Sequence, residues 1–187
     1  MMVGMASVDW TSVGDMLGAR AAQFITAGGH VRTVTGPDDA AAVLVDIESR
    51  IAALTTDQGL EAEGHYMVRS TLQPALRVLP HVVTYLADLN GVVVGAMTVN
   101  FTDEVAQIWS AGSTRATPGI GTAMLVALVH DAVTDGIGIA GDPNEVSRWY
   151  WDPITGGGDQ SAPSEVAIAH EAAAPHLSAL PSLVEGQ

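Results

Sequence analysis

Neither cysteine nor lysine occurs among the 187 residues. Without cysteine there is no disulfide, no thiolate nucleophile and no Cys-ligated zinc. Without lysine the seven basic residues are all arginines, set against 21 acidic ones, for a net charge of −14. Such a surface repels phosphate backbones, so neither nucleic acid nor an anionic membrane is an expected partner. A cationic substrate suits it better. No apolar run approaches the roughly 20 residues that span a bilayer. The opening "MMVGMASVDW" has neither a basic n-region nor an apolar h-region, so no signal peptide is read there and a cytoplasmic location is expected. None of the six histidines stands three or four residues from another, so no metal site is expected. Ser110 and Ser113 have no His–Asp partner at a workable spacing, which argues against a serine hydrolase.

What is present is an apolar fraction of 48%, ample for a sizeable core. Trp10, Val13, Leu17, Ala21 and Phe24 recur at helical spacing before Gly28 and Gly29. "HVRTVTG" (30–36) reads as a short strand. "PDDAAAVLVDIESRIAAL" then has proline at a first helical position, acids in the first turn and an apolar stripe through Val43, Ile47, Ile51 and Leu54. Residues 55–65 are polar and read as a loop. In 66–79, Pro74 interrupts or begins a helix. Asn90–Gly91, between two β-rich runs, is a strong hairpin signal. It predicts strands over 82–88 and 92–101, with a third over 105–113. A helix over 120–135, a short strand over 136–141 and a turn with a short helix over 142–151 follow. From Asp152 the chain turns to Gly, Pro and Ala and reads as a linker with a loosely held helix or a disordered tail. The predicted class is α/β, with a mixed, mostly antiparallel sheet and helices on both faces. The chain divides into an N-terminal helical segment (1–29), a central domain (30–151) and a tail (152–187).

The stretch "TRATPGIGTAMLVALVHDAV" (114–133) leads a strand through a glycine-bearing turn into a helix. Backbone N–H groups at such a helix start point outward at the positive end of the dipole, where a pyrophosphate can sit. Gly119 and Gly121 remove side chains from the approach, and Arg115 adds a cation. A dinucleotide site fits less well. Asp142 stands about where a ribose-binding acid would, but Met124 takes the third glycine position and the strand-to-helix turn is long.

The order of elements over residues 30–151, with three segments, resembles the GNAT superfamily of N-acetyltransferases. The segments are "ADLNGVVVGAMTV", "RATPGIGTAMLVALVHDAV" and "NEVSRWYW". The resemblance implies acetyl-CoA as cosubstrate and direct attack of an amine on its thioester. It implies cosubstrate binding by Ser113, Arg115, Thr117, Gly119, Ile120, Gly121, Thr122 and Asn144. It implies Tyr150 as general acid and Glu104, at the start of the third hairpin-region strand, as base. The acceptor would be a small-molecule or protein amine, with Glu61, Glu63, Asp103 and Glu104 available to meet a cation and His65–Tyr66 near the acceptor. Two departures stand out: Ala116 occupies the family's basic position, with Arg115 one residue early, and Trp151 its tyrosine position, with Tyr150 one residue early. A second reading therefore stands beside the enzyme. It is a GNAT-like fold without catalysis, serving as a structural or interaction module with a protein assembly partner or as a homo-oligomer, for example in a virion or a toxin system.

Overall fold

The computed structural model describes residues 10–54, 59–141 and 166–168. Its elements, in order, are α1 (Trp10–Thr26), β1 (Gly29–Thr33), α2 (Pro37–Ala53), α3 (Gly59–Leu72), a 3-10 turn (Gln73–Leu76), β2 (Val82–Leu89), β3 (Val92–Phe101), β4 (Val105–Ser113), α4 (Ile120–Asp135), β5 (Gly138–Gly141) and β6 (Val166–Ile168). The six strands lie side by side in chain order. Every neighbouring pair is antiparallel except β4 and β5, which are parallel and joined by α4, as a parallel pair requires a crossover. The α/β class with a mixed, mostly antiparallel sheet is therefore what the chain adopts.

Side-chain alternation along the central strands feeds two cores. Tyr85 and Ala87 of β2, with Met97 and Val99 of β3, face α1 and α4, where Leu17, Phe24, Met124 and Leu128 are fully or almost fully buried. Leu86 and Ala96 point the other way, to Val43 and Ile47 of α2 and Val68 and Leu72 of α3. The N-terminal helix is thus built into the first core rather than lying apart from it. The second face also carries a buried chain of hydroxyls. Thr84 donates to Thr98 at 3.0 Å, and Thr98 donates to the Thr71 carbonyl of α3 at 2.8 Å.

The expected local signals are visible at most element ends. Asn90 and Gly91 both have positive φ, and the Gly91 N–H donates to Asp88 Oδ1 at 2.7 Å. Asp39 in the first turn of α2 accepts from the Thr35 N–H at 3.0 Å and from Arg32 Nη1 at 2.8 Å. Burial disfavours its charge, but those donors outweigh burial and hold its carboxyl below the usual range. Gly136, at φ 72°, follows the end of α4, and the Ile137 N–H closes back on the Ala132 carbonyl at 2.9 Å.

Three expectations change. Residues 59–65, read as loop, are the first half of α3. Two glycines and a polar composition hide the period there, although Gly64, His65, Val68, Thr71 and Leu72 are buried at helical spacing. The strand read at 136–141 starts two residues later, because 136 and 137 close the helix. Within the tail, residues 166–168 form a strand paired with β5, so that piece is not loose. Val166 and Ile168 flank a single alanine, too short a run to read from composition.

Candidate active site

β4 positions the candidate site. Its ladder with β5 covers only Val105–Ile108 against Gly138–Gly141. Just beyond, the ladder with β3 slips: Thr98 faces Ser110 and Val99 faces Ile108, so Trp109 is an extra residue on β4. Such a bulge bends and twists its strand. From Trp109 to Ser113, β4 is held by β3, and the residues that follow β5 lie outside the described residues. Trp109 is 49% exposed there. It shares an open cleft of about 460 Å³ with Ser70, Gln73, Leu76 and Leu79.

At its C-terminal end β4 enters the loop before α4. The Thr114 N–H donates to the Val94 carbonyl at 2.8 Å, which holds the loop to the hairpin. The first bond of α4 runs from the Ala123 N–H to the Gly119 carbonyl at 2.8 Å. The N–H groups of Ile120, Gly121 and Thr122 therefore have no acceptor within the helix, as at any helix start. They stand at the positive end of a 16-residue helix. Space decides what each residue here contributes. A Cβ on Gly121 would have nothing within 4 Å, and Gly121 is exposed. A Cβ on Gly119 would lie 2.2 Å from the Arg20 carbonyl oxygen of α1. Gly119, at φ 89°, thus makes room for α1, and the open approach belongs to Gly121. Ile120 is buried, and its Cγ2 occupies the space a Cβ on Gly95 would need, which seats the helix start on β3.

The structure therefore brings Ser113, Arg115, Thr117, Gly119, Ile120, Gly121 and Thr122 together along one loop and helix start. Glu104 is not with them. It is exposed in the β3–β4 turn, and the nine residues of β4 put roughly 26 Å between the strand's ends. Tyr150 and Asn144 lie outside the described residues. Arg115 and Thr114 also line a second cleft, of about 450 Å³, on the α2–α3 face with Arg50, Glu61 and His65. His65 is 6% exposed and its Nδ1 has no hydrogen-bond partner among the described residues. Burial, more than the nearby Glu61, Arg50 and Asp46 charges, sets its pKa below the ordinary histidine value. Its imidazole is neutral at pH 7.

Two features escaped sequence reasoning. One is the bulge at Trp109, which only cross-strand register reveals. The other is the buried Tyr85, whose hydroxyl donates to Asp131 of α4. Tyr85 is fully buried among apolar neighbours of the first core, so it joins β2 to α4.

Among the described residues no helix is long and apolar enough to cross a membrane. No protein-family model matches the chain. No curated protein matches it either. Among solved structures it is similar to an aminoglycoside acetyltransferase from an uncultured soil metagenomic sample, solved with trehalose and with sisomicin. That likeness has 12% identity and a TM-score of 0.42, and covers 72% of this chain and 90% of that one. It is also similar to a predicted acetyltransferase with acetyl-CoA from Clostridium acetobutylicum, at 16% identity and a TM-score of 0.43, covering 72% of this chain and 91% of that one. At these scores the likeness stands as a description of shape, and the chemistry has to come from this chain's own geometry.

Proposed function

We propose that the chain is an N-acyltransferase that takes an acetyl group from acetyl-CoA and gives it to an amine. The start of α4, where Gly121 leaves an open approach at the positive end of the helix, carries this reading. An acyl-CoA has a pyrophosphate, and the backbone N–H of the exposed Gly121, with open space beside it, is placed to meet an anion. The local positive end of α4 offsets the repulsion of a chain of net charge −14. The chemistry is direct transfer. The lone pair of a neutral amine attacks the thioester carbonyl carbon, the C–N bond forms, the C–S bond breaks, and the thiolate leaves with the proton the amine loses. Catalysis by this chain would rest on holding the two reactants in line. The same acidity suits a cationic acceptor, which must shed a proton before it attacks.

Titration with acetyl-CoA tests the reading. At 100 times its dissociation constant the ligand should add about 2.7 kcal/mol of stability, and Gly121→Glu, which puts bulk and negative charge on the approach, should abolish the effect. No response at millimolar acetyl-CoA would sink the proposal. A second reading has one observation in its favour: β4 carries no carboxylate over 105–113 and Glu104 sits at its far end. It keeps the fold as an interaction module that binds without turnover. Release of free CoA thiol in the presence of a panel of amines separates the two.

A further inference from the structure

The turn between β2 and β3 carries a reactive pair. Asn90 precedes a glycine, and both residues are exposed. A backbone nitrogen can attack the carboxamide of the asparagine before it, and a glycine there has no side chain to block the approach. The other asparagines, Asn100 and Asn144, precede a phenylalanine and a glutamate, whose side chains crowd the same path. Two features of the fold hold the attack off at Asn90. The first is the turn itself. Leu89 pairs with Val92, which leaves a two-residue loop, and φ values of 54° at Asn90 and 81° at Gly91 make it a type I′ turn. As the mirror image of type I, it sets ψ of its first central residue near about +30°. Ring closure needs the Gly91 nitrogen to eclipse the Asn90 Cβ about the Cα–C bond, at a ψ of about −120°, the value found in a type II′ turn. The second is what the turn rests on. The Gly91 N–H donates to Oδ1 of the almost fully buried Asp88 at 2.7 Å. A Cβ on Gly28 would lie 2.6 Å from Asn90 Oδ1, so the carboxamide lies on the turn between α1 and β1.

We propose that Asn90 is a site of spontaneous deamidation gated by this turn, with reaction only when the Asp88 bond and the Gly28 contact are released. The Gly91 nitrogen then bonds to Asn90 Cγ. The bond from Cγ to the side-chain amide nitrogen breaks, and that nitrogen leaves as ammonia with the proton the Gly91 nitrogen gives up. A five-membered cyclic imide remains. Water adds to either of its carbonyls, giving aspartate or isoaspartate. Isoaspartate routes the backbone through its own Cβ and Cγ, and the lengthened loop no longer matches a two-residue turn. Aspartate sets a second carboxylate two residues from Asp88. Either product weakens the turn, so the change marks a chain that has opened and favours its opening again.

Incubation of the full chain at mildly alkaline pH, folded and in urea, tests this. Peptide mapping by mass spectrometry and enzymatic methylation of isoaspartate follow the product. In urea the product should form at Asn90 while Asn100 and Asn144 keep their amides. In the folded chain it should form at least about tenfold more slowly, since the reactive state is reached only by local opening. Asp88→Ala should raise the folded rate about tenfold or more, the weight of a hydrogen bond to a charged group, and leave the rate in urea unchanged. Gly28→Ala, whose Cβ displaces the carboxamide, should raise the folded rate as well. Equal rates in the folded and unfolded wild-type chain, no product at Asn90 in urea, or wild-type folded rates in both variants would each overturn the proposal. The wild-type comparison decides even where a variant fails to fold.

Discussion

At the scale of single residues, the polar groups inside this protein tie elements together, and Tyr85 shows it best. Its ring fills the core between β2 and α4 while its hydroxyl donates to Asp131. Burial first, and then the neighbouring Asp131 and Asp135 charges, push its pKa far above the ordinary tyrosine value. The folded chain therefore holds this proton where the unfolded chain releases it at about pH 10. With the folded pKa above the unfolded one, the contribution is complete below pH 10 and is lost as the pH rises past it. Tyr85→Phe keeps the ring and removes the donor. It should cost about 1.5–3 kcal/mol at pH 7, the range for a hydrogen bond to a charged group. It should also flatten the loss of stability between pH 10 and 11. Urea unfolding at pH 7 and pH 10.5 checks both. Equal midpoints for the two proteins at pH 7 would remove Asp131 as a meaningful partner.

At the scale of elements, two glycines two residues apart do opposite jobs. Gly119 has a positive φ and the Arg20 carbonyl against it; Gly121 lies in the first turn of α4 with open space beside it. Gly119→Ala should therefore cost at least about 1–2 kcal/mol from the left-handed backbone alone, before any movement of α1. Gly121→Ala should be neutral or stabilising by up to about 1 kcal/mol, since alanine is the better helix residue. Thermal unfolding of the two variants decides, and the reverse order would contradict the packing of the loop on α1. The sequence contained the pair but not this division of labour, because the Arg20 contact joins positions about a hundred residues apart. What it did contain was local. Asn90–Gly91 fixed the hairpin, the bounds of β3, β4 and α4 came out as read, and the "GVVVG" segment supplied Gly95, against which Ile120 packs. What it hid was either weak in period, as in the first half of α3, or a matter of register, as in the bulge at Trp109. The convergence of Arg115, Glu61 and His65 has no local signal at all, since it depends on α3 crossing the end of β4. Gly64 allows that crossing: a Cβ there would lie 2.8 Å from the Thr114 Cα.

At the scale of the whole molecule, one sheet serves two cores, and that predicts how the chain comes apart. Leu128 of α4 and Leu72 of α3 are each fully buried, on helices that the sheet separates. They share no side-chain core, yet both cores are built on the same β2 and β3, whose successive residues point alternately into one and the other. Neither face can lose its helices without exposing strands that the opposite face also needs. Leu72→Ala and Leu128→Ala should each cost about 2–5 kcal/mol, the range for such truncations in a core. Because the sites are distant, the two costs should add. The double variant would then lose about 4–10 kcal/mol, much of the 5–15 kcal/mol that an ordinary domain possesses. Shared strands further require that each single variant unfold in one transition, with tryptophan fluorescence and far-UV circular dichroism giving the same midpoint. A Leu128→Ala protein that retained a separate transition at the wild-type midpoint would show that the α2–α3 face folds on its own. In that case the sheet would be a boundary between two independently folding units.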